Sequence, residues 1–128
     1  MSPDVKVVVP ARADYVRVLR AVTASLAARL DFTYDRIDDL RLAVSEACAT
    51  LLALPWTAEI LVLRLYATEA EVTAVVCTDA EAGSAGWPPA DTERTLAWRV
   101  LSGLADAAVF EIGEEGPAVR LEMAGGSR

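Results

Sequence analysis

The sequence predicts an α+β two-layer sandwich, a mostly antiparallel sheet with helices on one face. Three observations point there. Short runs rich in Val, Ile and Leu occur in pairs joined by short turns, the pattern of hairpins. Three longer stretches repeat apolar residues at steps of three and four, the pattern of helices. The 128 residues suit one domain with a real core, and helices with a single apolar stripe pack most economically on one side of such a sheet.

The elements follow in order. Val5-Lys6-Val7-Val8-Val9 is a first strand stopped by Pro10, suited to a sheet edge. From Ala11 to Leu30, Tyr15, Val18, Leu19, Val22, Leu26 and Leu30 recur at helical spacing. Thr33 is a candidate N-cap for a second helix, Tyr34 to Leu54, whose stripe is Ile37, Leu40, Val44, Ala47 and Leu51. Asp35, Asp38 and Asp39 crowd its first turns, where the helix dipole favours negative charge, and Pro55 ends it. Glu59–Tyr66 and Glu71–Cys77 form a hairpin. A loop marked by Gly83, Gly86, Pro88 and Pro89 leads to a third helix, Asp91 to Leu104, with Leu96, Val100, Leu101 and Leu104 apolar. Ala107–Ile112 and Ala118–Met123 form a last hairpin around Gly113 and Gly116, and a frayed tail is expected from Ala124 onward. The predicted order is β-α-α-β-β-α-β-β.

Composition excludes much chemistry. The chain has no His, so Ser-His-Asp and Cys-His catalysis, His metal sites and His phosphorelay are ruled out. Asn and Gln are absent too, and the two cysteines, Cys48 and Cys77, build no zinc site without His. They read as small buried apolar residues, and no metal site is expected. A net charge of −7, with Lys6 the only lysine, argues against a nucleic-acid surface. No secretory signal and no apolar run of membrane-spanning length is seen, so a protein of the reducing cytoplasm with no membrane association is expected.

Two carboxylates stand out. Glu46 lies one step aside from the stripe of the second helix, in line with Asp39, Leu42 and Thr50. It is either a group that orients a water or holds a cation, or an ordinary half-exposed helix-face residue. Asp79 directly follows a strand, where it either reaches out of the sheet end or closes a turn.

The segment Asp38-Asp39-Leu40-Arg41-Leu42-Ala43-Val44-Ser45-Glu46-Ala47 resembles the N box of the anti-sigma-factor serine kinases. These are small members of the histidine-kinase-like ATPase (Bergerat) fold, alongside gyrase B and the heat-shock chaperone of that superfamily. The element order matches that fold over nearly the whole chain, taken as a single domain spanning residues 1–128. The resemblance makes Glu46 the base that activates the attacking hydroxyl. It puts Thr50 where the family carries the Asn that ligates magnesium, and a Thr hydroxyl is a poor replacement at so exacting a cation.

The family's Asp-x-Gly-x-Gly motif, whose Asp bonds the adenine amino group, corresponds to Asp79-Ala80-Glu81-Ala82-Gly83. Asp79 and Gly83 persist, while Glu81 adds a side chain and a charge where the backbone must approach the nucleotide closely. The glycine turn that offers amides to phosphate corresponds to Thr95-Leu96-Ala97, without a glycine. A family Thr at the adenine site corresponds to Pro117 or Ala118, and the lid shrinks to Ser84–Arg94 with Trp87-Pro88-Pro89.

The resemblance therefore implies a degenerate member. Glu46 is a vestigial base; Glu46, Thr50, Asp79 and Gly83 are remnants of a nucleotide site; no cofactor is expected. What remains of the family's work is holding an alternative sigma factor away from RNA polymerase. Arg17 and Arg20, three apart on the first helix, are candidate partner contacts or a solvated face, and Trp87 is an exposed anchor or a buried plug. The first strand offers an edge for a homodimer, as in relatives. The alternative is an active serine kinase using ATP and magnesium to phosphorylate a STAS-domain anti-sigma-factor antagonist. A third reading is a scaffold of the same fold for another regulator.

Overall fold

The computed structural model describes residues 2–81 and 86–126. β1 (Val5–Pro10) is followed by a 3-10 turn (Ala13–Tyr15), α1 (Val16–Arg29) and α2 (Tyr34–Leu52). Then come β2 (Ile60–Ala67), β3 (Glu71–Thr78), a second 3-10 turn (Thr92–Arg94), α3 (Leu96–Leu104), β4 (Ala107–Ile112) and β5 (Pro117–Ala124). The strands order as β1-β2-β3-β5-β4, every neighbouring pair antiparallel, with β1 at one edge. This is the predicted α+β sandwich.

Alternation along the strands divides the sheet into two faces. Leu61, Leu63 and Leu65 of β2, Val72, Ala74 and Val76 of β3, and Val119, Leu121 and Met123 of β5 meet the helices in the main core. α2 fills the centre with Leu40, Ala43, Val44, Ala47, Cys48 and Leu51, all buried. Val62, Val75, Cys77 and Ala118 form a smaller cluster on the opposite face.

Caps set the helix limits. Thr33 caps α2 by accepting the Arg36 amide at 3.3 Å, as its position predicts. α3 starts five residues later than Asp91. Asp91 has φ of 65°, and Thr95 is extended and accepts the Trp98 amide at 3.2 Å, so the Thr95 cap fixes the first turn. The α1 stripe is the predicted one except at Val18: Leu19 is buried, and Tyr15, Val22, Leu26 and Leu30 pack against the main core. Thr23 and Ala27 are buried as well, whereas Val18 is 40% exposed. Thr23 and Ala27 are small, which suits the packing of α1 on α2. The Thr23 hydroxyl donates to the Leu19 carbonyl at 2.8 Å, so its burial leaves no donor unpaired.

The expected frayed tail is held down as far as residue 126. The Gly125 amide donates to the Ala70 carbonyl at 2.9 Å, and its carbonyl accepts from Thr33 at 3.0 Å. Residues 127–128 lie outside the described residues.

Candidate functional site

α2 positions Glu46 and Thr50 one turn apart on one side of the helix, both half-buried. The Thr50 hydroxyl donates to the Glu46 backbone carbonyl at 2.8 Å. Its proton is therefore engaged within the helix, and its oxygen is left as an acceptor. The Glu46 carboxylate makes no hydrogen bond or ion pair among the described residues.

Thr50 opens onto a cavity of about 370 Å³ between the end of α2, the segment 87–95 and the start of α3. Ala49, Ala53, Leu54, Pro55, Trp87, Pro89, Ala90 and Ala97 supply its apolar walls, and Thr92 and Thr95 add hydroxyls. No charged side chain lines it among the described residues.

Asp79 lies elsewhere. One oxygen, Oδ1, accepts the Glu59 amide at 2.8 Å and the Ile60 amide at 3.1 Å, which ties the end of β3 to the start of β2. Its cavity is a second one, about 560 Å³, lined by Pro55, Trp56, Thr57, Glu59, Asp79 and Glu81. Pro55 borders both spaces. The second carries three carboxylates and no cation among its described lining, a field that repels phosphate.

Trp87 is half-buried against the main core. Its ring meets Phe110 edge-on at 5.1 Å, and its indole N–H donates to the Ala118 carbonyl at 3.2 Å. Trp98 stacks at a tilt on the same Phe110 at 5.1 Å. Gly83 lies outside the described residues, as do Ala82, Ser84 and Ala85.

On α1, Arg17 is exposed and Arg20 half-buried. Arg20 faces α2 closely enough for its charge to act on Cys48, though burial dominates and pushes that thiol up to about 12. Cys48 is thus protonated and inert at neutral pH. Arg12 is engaged locally, with Asp14 at 3.0 Å and over the Tyr15 ring at 5.5 Å.

The comparison that decides the family is a profile match: the histidine kinase-like ATPase domain matches residues 9–123. The chain belongs to that family. It is 34% identical over 70 residues to serine-protein kinase RsbW of Bacillus cereus (strain B4264), covering 52% of this chain and 44% of the relative. Serine-protein kinase RsbW of Bacillus thuringiensis (strain Al Hakam) is also 34% identical, over 68 residues, 50% of this chain and 42% of the relative. The chain spans less than half the length of these curated relatives. The five-stranded antiparallel sheet with helices on one face fits the Bergerat fold of the histidine kinase-like ATPases.

Within this family fold, Glu46 and Thr50 share one side of α2, but Asp79 borders a different cavity from Thr50. Sequence reasoning missed the apolar walls, because Ala49, Pro89 and Ala97 come from three segments with no common spacing. It also missed an ion cluster on the outer sheet face, built on the buried Arg64. Arg64, 7% exposed, binds Glu115 through two nitrogens at 2.7 and 2.6 Å and Glu114 at 2.9 Å. Hydrogen bonding to Arg64 draws Glu115 down to about 2 and raises the Arg64 guanidinium in turn. The available signal was Arg64 alone between Leu63 and Leu65, facing a Glu-Glu pair in a turn.

Proposed function

We propose that this chain is a cytoplasmic anti-sigma factor that binds and sequesters an alternative sigma factor without needing nucleotide. The observation that carries this reading is the character of the cavity beside Thr50. Phosphoryl transfer depends on positioned cations and donors around the phosphates. The walls here are hydrocarbon, the Thr50 proton is engaged on Glu46, and the one retained adenine-type carboxylate, Asp79, is engaged on backbone amides. These residues do not fit magnesium and a triphosphate, so no catalytic step is derived through them.

Binding then stands as the function. The net charge of −7 suits a sigma factor with a basic DNA-facing surface, because opposite fields accelerate encounter and select partners. Arg17, exposed on α1 with Arg20 half-buried three residues on, is the proposed local contact for partner carboxylates. Trp87, half-buried on Phe110, shapes the segment that borders the space beside Thr50.

A second reading has its own support. Glu46 remains half-exposed on α2 with a carboxylate that has no partner among the described residues, and the curated relatives are named serine-protein kinases. In that reading ATP and magnesium bind and a STAS-domain antagonist is phosphorylated.

Gel filtration with candidate sigma factors, with and without Mg-ATP, separates the two. The sequestration reading expects a complex that elutes identically in both conditions and no transfer of labelled phosphate to a STAS-domain protein. Arg17→Glu is expected to weaken that complex at least tenfold. Transfer of label, or a complex that forms only with nucleotide, overturns the reading.

A further inference from the structure

The cavity between α2 and α3 has a donor and acceptor balance that defines a ligand. The hydroxyl protons on its wall are engaged inside the protein: Thr50 on the Glu46 carbonyl at 2.8 Å, Thr95 on the Thr92 carbonyl at 2.7 Å, and Thr92 on the Pro89 carbonyl at 2.5 Å. The Trp87 indole N–H is engaged on Ala118. Pro55 and Pro89 carry no amide proton. The oxygens of Thr50 and Thr92 are left as acceptors, surrounded by Ala, Leu, Pro and Trp side chains. The side chains of this wall offer an anion no donor and favour an apolar body with one donor of its own.

We propose that this cavity binds a small uncharged molecule of one or two rings that donates a hydrogen bond to Thr50 or Thr92. An enclosed apolar cavity of roughly 150 Å³ holds benzene, and this half-open cleft of about 370 Å³ is wide enough for one or two rings. The competing feature is the first turn of α3, where the Leu96 and Ala97 amides precede the capped Trp98 and would welcome an anion. The proposal rests on the reading that this space no longer takes a triphosphate, and the test separates the two.

Phenol, benzoate and Mg-ATP are titrated into the full chain at pH 7 and followed by calorimetry and thermal shift. Saturable phenol binding is expected, at least tenfold tighter than benzoate, with a raised Tm. Ala97→Leu and Ala53→Leu, which both fill the cavity from its helical edges, are each expected to weaken phenol at least tenfold. Benzoate binding as tightly as phenol, or phenol affinity unchanged in both variants, overturns the proposal. Absence of both phenol and Mg-ATP binding overturns it while leaving the nucleotide-independent reading intact. Mg-ATP that displaces phenol overturns the nucleotide-independent reading and leaves phenol binding standing.

Discussion

Asp79 accepts the Glu59 amide at 2.8 Å through the same carboxylate oxygen that takes the Ile60 amide at 3.1 Å. Asp79 thus serves as a clasp between the end of β3 and the start of β2. Asp79→Ala is expected to destabilise the fold by about 1.5–3 kcal/mol, the range for hydrogen bonds to a charged group. Urea unfolding gives the difference, and an unchanged midpoint would count against the clasp.

The outer sheet face depends on charge in a way that acid exposes. Glu115 ionises near pH 2 in the folded chain, against an ordinary value of 4.5, because Arg64 binds it. Its contribution to stability is therefore complete above about 4.5 and lost as pH falls through about 2. Glu115→Gln is expected to cost on the order of 3 kcal/mol at pH 7, moderated by Glu114, which still reaches Arg64. Thermal melts across pH 2–7 should show wild type and variant converging at the acid end. Parallel curves would remove Glu115 as the group responsible.

Gly116 closes the last hairpin in a space that admits no side chain. A Cβ there would stand 2.6 Å from the Thr78 carbonyl oxygen and 3.0 Å from that of Ala80. Because both neighbours are backbone, neither yields cheaply. Gly116→Ala should lose roughly 1–3 kcal/mol, read from the denaturant midpoint, whereas Gly103→Ala, in open space on α3, should stabilise slightly.

Restoring one ligand should not restore a nucleotide site. Thr50→Asn supplies the carboxamide of the family motif but leaves the apolar walls and the engaged Asp79 unchanged. Calorimetry with Mg-ATP is expected to show no more heat than wild type. Micromolar binding in this variant would mean that Thr50 alone had blocked the site.

The elements that repeat strongly were readable before any coordinates. The N-cap at Thr33, the α2 residues Leu40, Val44, Ala47 and Leu51, and the edge position of β1 all follow from local chemistry. On α1 local chemistry misled at single positions, since the apolar Val18 is 40% exposed while the polar Thr23 is buried. At α3 the helical pattern ran through to Asp91, but the left-handed Asp91 and the Thr95 cap shortened it. The tail from Ala124 looked unanchored because its partners, Ala70 and Thr33, are remote in the chain.

By itself the sequence determined the element order, the sheet-and-helix architecture and the absence of histidine chemistry, since periodicity and composition act residue by residue. Only the tertiary structure decided that Thr50 faces hydrocarbon, that Asp79 faces backbone amides around the far side of Pro55, and that Arg64 closes on Glu115 across 51 positions. Those outcomes depend on which distant segments share a volume, and a side chain acquires its partners from that volume.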